Sequence, residues 1–134
     1  MWTIPSSVAE GVHVVTADAA QVTIDKIVTH ADGKPRAIAV NADVSKENSW
    51  LIRRWRIMGK LNIMFNSTGI EERIWDLITL NVKGVWFGCK YSIQAMHTSV
   101  DESIINTASS MAIMVAATPQ LAYTAFKGVL LALT

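Results

Sequence analysis

Apolar residues along this chain fall into two patterns that take turns. Short, mostly apolar runs alternate with longer stretches whose apolar positions recur every three or four residues. Residues 12–17, 36–42, 61–66 and 103–108 are the short runs and predict four strands. Between the first two, residues 20–30 carry Val22, Ile24, Ile27 and Val28 at helical spacing. Asp32-Gly33-Lys34-Pro35 then predicts a turn. Ser45 is placed to cap a helix from residue 46 to about 58, which Gly59 stops. A long stretch rich in Trp, Leu, Val and Met predicts a helix from about residue 72 to 96. Pro119 suits the first turn of a last helix, which runs to the end of the sequence. Strands that alternate with helices predict a parallel sheet covered on both faces. Uninterrupted apolar runs such as Ile63-Met64-Phe65 and Ile104-Ile105 fit strands buried on two sides.

Composition narrows the class. At 134 residues the chain fits a single domain, 1–134, with no internal repeat or linker. It is 51% hydrophobic and 17% charged, with a net charge of +1. No basic stripe predicts nucleic-acid binding, and no apolar run reaches the length of a membrane span. The first residues lack the pattern of a signal peptide, so a cytoplasmic location is expected. Cys89 is the single cysteine, which excludes an intrachain disulfide and a cysteine-based zinc cluster. His13, His30 and His97 are far apart and show no ligand spacing, so no metal site is expected. The tryptophans at 2, 50, 55, 75 and 86 form no stripe and are expected to pack.

The candidate chemistry lies near the end. Tyr123 and Lys127 are four residues apart, which puts both on one helix face. Ser110 precedes Tyr123 by thirteen residues and follows a strand. A cation held beside a phenol favours the phenolate, which makes the phenol usable as an acid and base. A serine hydroxyl next to it can hold a carbonyl or alcohol oxygen. Asn81 lies within a helix, where asparagine has poor propensity, so a polar role is expected of it. Each residue also has a plainer reading. Alone, Tyr123 reads as a packed aromatic, Lys127 as a surface lysine and Asn81 as a local cap. Asp18 and Asp43 both stand where they can cap a following helix.

Taken in order, these residues resemble the short-chain dehydrogenase/reductase family. Asp18 ends the first strand and Asp43-Val44 the second. Asn66-Ser67-Thr68-Gly69 ends the third, where the family usually reads Asn-Asn-Ala-Gly. Asn81-Val82-Lys83-Gly84 lies in the long helix. Ile105-Asn106-Thr107-Ala108-Ser109-Ser110 leads to the serine, and Tyr123 with Lys127 completes the set. The resemblance covers about residues 11–134. It implies a Rossmann-type doubly wound parallel sheet and an oxidoreductase that interconverts an alcohol and a carbonyl by hydride transfer. Tyr123 is then the acid/base, Lys127 holds the nicotinamide ribose, Ser110 orients the substrate oxygen and Asn81 supports a proton relay through water to Lys127. Asp18, Asp43, Val44, Asn66, Thr68 and Gly69 would border the cofactor along with Tyr123 and Lys127. A carboxylate at Asp18 accepts from a free 2′-hydroxyl and repels a 2′-phosphate, which predicts NAD rather than NADP.

Departures from the family pattern set further expectations. None of the glycines at 11, 33, 59, 69, 84, 88 and 128 builds the family's Thr-Gly-x-x-x-Gly-x-Gly turn. That turn brings backbone N–H groups to the pyrophosphate, so weak cofactor binding is expected of this chain. The fold is expected to be incomplete, with the first strand and the C-terminal strands missing. Omitting a strand between the first and third visible ones leaves a gap of about 10 Å, twice the normal strand spacing. The alternative is a catalytically inactive fragment or interaction subunit that pairs with a full-length relative. The long helix and the active-site helix would also allow a homo-oligomer.

Overall fold

A computed structural model of the chain describes residues 14–17, 37–40, 42–50, 61–70, 74–97, 101–114 and 121–134. Strand β1 (Val14–Ala17) pairs in parallel with β2 (Ala37–Val40), Val14 opposite Ala37. Strand β3 (Ile63–Asn66) pairs in parallel with β4 (Ser103–Asn106), Ile63 opposite Ser103 and Asn66 opposite Asn106. Parallel neighbours need a long crossover, usually a helix. The crossover from β3 to β4 contains one. The helix expected over 20–30 lies outside the described residues.

Among the described residues the two strand pairs remain separate two-stranded sheets. Among the described residues, parallel strands with helices packed on them make up an incomplete Rossmann-type α/β fold. One expectation differs. Met64 and Asn66 are buried, whereas Ile63, Phe65 and Ile105 are exposed. The β3–β4 sheet is thus covered on one face by the described residues, not on both.

The segment after β2 turns sharply into α1 (Glu47–Trp50). Here Asp43, not Ser45, organises the turn. Its Oδ1 accepts from the Ser45 backbone N–H at 3.0 Å and from the Ser45 hydroxyl at 2.6 Å. The Ser45 hydroxyl is engaged here as a donor to the carboxylate, and no helix N–H among the described residues is seen to donate to it. Val44 and Trp50 enter the core with Met64, Phe87 and Met96, and the Trp50 indole donates to the Val44 carbonyl at 2.9 Å. Trp50 packs as expected, whereas Trp75 and Trp86 are exposed. Trp2 and Trp55 lie outside the described residues.

The long helix is one continuous run with a change of pitch. It begins as α2 (Ile74–Asp76), loosens into a π-helical stretch (Leu77–Gly84) and continues as α3 (Val85–Met96). Such i→i+5 stretches are rare and occur frequently at functional sites. Glu47 ties α1 to α3 by accepting from Lys90 Nζ at 2.7 Å and from the Tyr91 hydroxyl at 2.6 Å. The last helix, α4 (Leu121–Ala132), buries Lys127 and Leu130. No helix of the described residues is long and apolar enough to cross a membrane.

Candidate active site

The site gathers at the C-terminal ends of β3 and β4. β4 ends at Asn106, and the chain continues extended to Ser109. The Ser109 hydroxyl accepts from the Met111 N–H at 3.3 Å and so caps a 3-10 turn (Ser110–Ala112). This occupies Ser109 and leaves the neighbouring Ser110 exposed at the head of the turn. The turn packs against α4, where a Cβ on Gly128 would lie 3.9 Å from the Ala112 carbonyl oxygen.

Lys127 reaches inward from α4 and is only 4% exposed. Its Nζ donates to the Thr107 carbonyl at 2.8 Å and lies 5.9 Å from the centre of the Tyr123 ring. Burial pushes this ammonium below the ordinary lysine range. A Cβ on Gly69 would lie 3.3 Å from Lys127 Nζ and 3.6 Å from Asn81 Oδ1. The loop after β3, the π-helical stretch and α4 therefore converge on the ammonium.

Asn81 is fully buried. Its Oδ1 accepts from the Ile70 N–H and its Nδ2 donates to the Ile70 carbonyl, both at 2.9 Å. The carboxamide thus clamps the loop that carries Gly69 beside Lys127. A carboxamide has two N–H donors and two acceptor lone pairs, so one N–H and one lone pair are left over.

The other expected site residues are placed as follows. Thr68 and Gly69 are exposed, with their backbone beside the ammonium. Asn66 is not brought to it. Its side chain turns between sheet and helix, where Nδ2 donates to Asn106 Oδ1 at 2.8 Å and approaches Cys89 Sγ at 3.7 Å. Val44 lies in the core against Gly84, whose Cβ would stand 3.1 Å from Val44 Cγ2. Asp43 is held by its turn, and the Ser45 hydroxyl bond is the main cause that keeps its carboxyl below the ordinary aspartate range. Asp18 lies outside the described residues.

Several participants escaped the sequence reading. They are the Thr107 carbonyl, the Ile70 backbone and Gly88, which lets α3 approach Asn66. Carbonyls leave no trace in residue type. Gly88, a glycine inside a helix, was a usable signal, because helical glycines mark close approach.

A family profile described as short chain dehydrogenase matches residues 5–134. The chain belongs to the short-chain dehydrogenase family. Among solved structures, a doubly substituted short-chain dehydrogenase/reductase from Serratia marcescens is similar at 24% identity and a TM-score of 0.82, over 97% of this chain and 58% of that one. ElxO with NADP bound is similar at 19% identity and a TM-score of 0.80, over 96% of this chain and 58% of that one. A 3-ketoacyl-ACP reductase from Sinorhizobium meliloti gives 21% and 0.80, over 96% of this chain and 56% of that one. The chain thus spans less than two thirds of the length of these structures, and the likeness concerns the fold. No curated protein matches the sequence.

Proposed function

We propose that the chain is an NAD-dependent oxidoreductase that interconverts a small alcohol and its carbonyl, with Tyr123 as acid/base. The observation that carries this reading is the buried Lys127 ammonium. An ammonium has three donors, and among the described residues only the Thr107 carbonyl engages one of them. Two buried N–H bonds without acceptors fit a pair of ribose hydroxyls, and the exposed Thr68-Gly69 backbone gives that ribose an open approach. The same ammonium stands 5.9 Å from the centre of the Tyr123 ring.

A bound nicotinamide would supply or accept the hydride. In the oxidising direction the substrate's C–H bond breaks with loss of hydride, and its O–H proton passes to the Tyr123 oxygen. Reduction returns that proton to the carbonyl oxygen. Ser110, exposed at the head of its turn, orients the substrate oxygen by hydrogen bonding. Asn81 keeps Gly69 against Lys127, and its spare N–H and lone pair serve a water relay. Asp18 selects NAD by accepting from the 2′-hydroxyl; Ala19 and Ala20 beside it offer no cation to a 2′-phosphate. Asp43 and Val44 border the adenine.

The test is a titration with NADH that follows cofactor fluorescence. Saturable binding in the millimolar range or below is expected, together with oxidation of NADH by a panel of aldehydes and ketones. Tyr123→Phe is expected to leave binding intact and slow turnover by about a hundredfold to ten-thousandfold. No saturable change up to millimolar NADH, or an unchanged rate in Tyr123→Phe, defeats the reading. One observation favours a second reading as an interaction subunit: the exposed apolar face of Ile63, Phe65 and Ile105. Absence of NADH binding, combined with capture of a full-length family member, selects it.

A further inference from the structure

We infer that the site takes an uncharged, apolar alcohol or ketone, and not a substrate that carries a carboxylate or phosphate beside the reacting carbon. This inference deepens the oxidoreductase reading and rests on it for the identity of the reacting groups. Its basis is an apolar shoulder around Ser110. The N–H groups of Ile113 and Met114 both donate to the Ser110 carbonyl at 3.1 Å, which folds these residues back within one turn of the serine. Their side chains are 80% and 67% exposed. Leu121, 68% exposed, is seven residues before Gly128 and so shares its helix face, the face that meets the Ser110–Ala112 turn. Three large apolar side chains on and beside the serine's turn are thus largely exposed. Exposed apolar patches of this kind mark binding surfaces.

Charge decides what this shoulder accepts. From Ser103 to Thr134 the sequence contains one charged residue, Lys127. That ammonium is buried and bonded to the Thr107 carbonyl, so it is not presented on the shoulder. An anionic substituent seated on this shoulder loses hydration, and the stretch from Ser103 to Thr134 offers it no cation besides the buried Lys127. A neutral ring or alkyl group gains by covering Ile113, Met114 and Leu121.

The test compares two ligands of matched shape, acetylcyclohexane and its ring carboxylate, by ligand-observed NMR titration with and without millimolar NADH. The neutral ketone is expected to saturate at least about tenfold more tightly than the carboxylate. Met114→Lys, a change at an exposed position whose folding is checked by circular dichroism, is expected to narrow or reverse that preference. Equal or tighter binding of the carboxylate overturns the inference. So does binding of neither ligand, or a preference untouched by Met114→Lys. The two readings fail differently. A ketone that binds without oxidising NADH supports the apolar site and defeats the oxidoreductase. Turnover that favours the keto acid supports the oxidoreductase and defeats the apolar site.

Discussion

Gly88→Ala is expected to destabilise the chain although alanine is the better helix former. In α3, a Cβ at this position would fall against Asn66 Oδ1, 2.9 Å from Cγ and 3.1 Å from Nδ2. The Asn66 amide cannot simply swing aside. It is buried, and it is pinned by its bond to Asn106 Oδ1 at 2.8 Å, directly opposite in the strand register. Forcing it out costs about 1–3 kcal/mol in overpacking. Breaking the bond to Asn106 adds about 1–3 kcal/mol if the partner stays buried. Helix propensity returns roughly 1 kcal/mol. The net loss centres on about 3 kcal/mol, which shifts a urea midpoint by about 1–3 M. Asn66→Ala removes the obstruction, so the double variant should be more stable than the two single losses sum to, with a coupling of about 0.5–3 kcal/mol. Urea titrations followed by circular dichroism on all four proteins measure this. A Gly88→Ala midpoint at or above that of the parent, or strictly additive losses, refutes the close approach of α3 to β3.

Other substitutions probe the site and its frame. Asn81→Leu keeps the volume but deletes both bonds to Ile70; a loss of about 2–4 kcal/mol and faster amide exchange at Ile70 are expected. Lys127→Met removes a buried charge and should stabilise the chain at pH 7 by about 0.5–2 kcal/mol while abolishing turnover. The sign with pH follows from the lowered folded-state value. Between that value and the ordinary 10.5 the unfolded chain binds more protons, so parent stability rises with pH there and the gain from Lys127→Met shrinks. Urea titrations at pH 7 and pH 10 that show an equal gain contradict this. Asp43→Ala should cost about 1 kcal/mol at most, since the carboxylate is partly exposed. Its depressed value means the contribution is present above pH 3.8 and fades as pH falls through the folded-state value, which thermal melts across acidic pH detect.

What the sequence revealed and what it hid follow from the range of the forces involved. Strands were legible wherever apolar runs were short and bounded, and all four were placed within about two residues at each end. The spacing of Tyr123 and Lys127 was legible because a helix face is a local property. The π-helical stretch was not, because residue type and apolar spacing do not separate it from an ordinary helix. The role of Asn66 was also hidden. Its partners Asn106, Gly88 and Cys89 are distant in sequence and meet it only when β3, β4 and α3 are assembled. At Ser45 and Asp43 two candidate caps competed at close range. Residue type alone does not rank a carboxylate against a hydroxyl that can donate to it.

Under the proposed function, the layout separates the acid/base groups from those that would select the cofactor. Asn81, Ser110, Tyr123 and Lys127 all stand on the β3–β4 half with its helices, where bonds to Ile70 and Thr107 fix Asn81 and Lys127. The Asn66–Asn106 pair sets the register just before Thr107, so the carbonyl that holds Lys127 is positioned by a contact 40 residues apart in sequence. Asp43 and Val44, by contrast, follow β2, and the contact of Val44 with Gly84 joins the second half to the π-helical stretch. Weak nucleotide binding is therefore compatible with the proposed chemistry in one molecule. The prediction that distinguishes this layout from a cooperative one is Val44→Ala. It opens space beside Gly84 and should weaken NADH binding more than it slows the chemical step at saturating cofactor. An equal loss in both shows that the catalytic half depends on its neighbour for its shape.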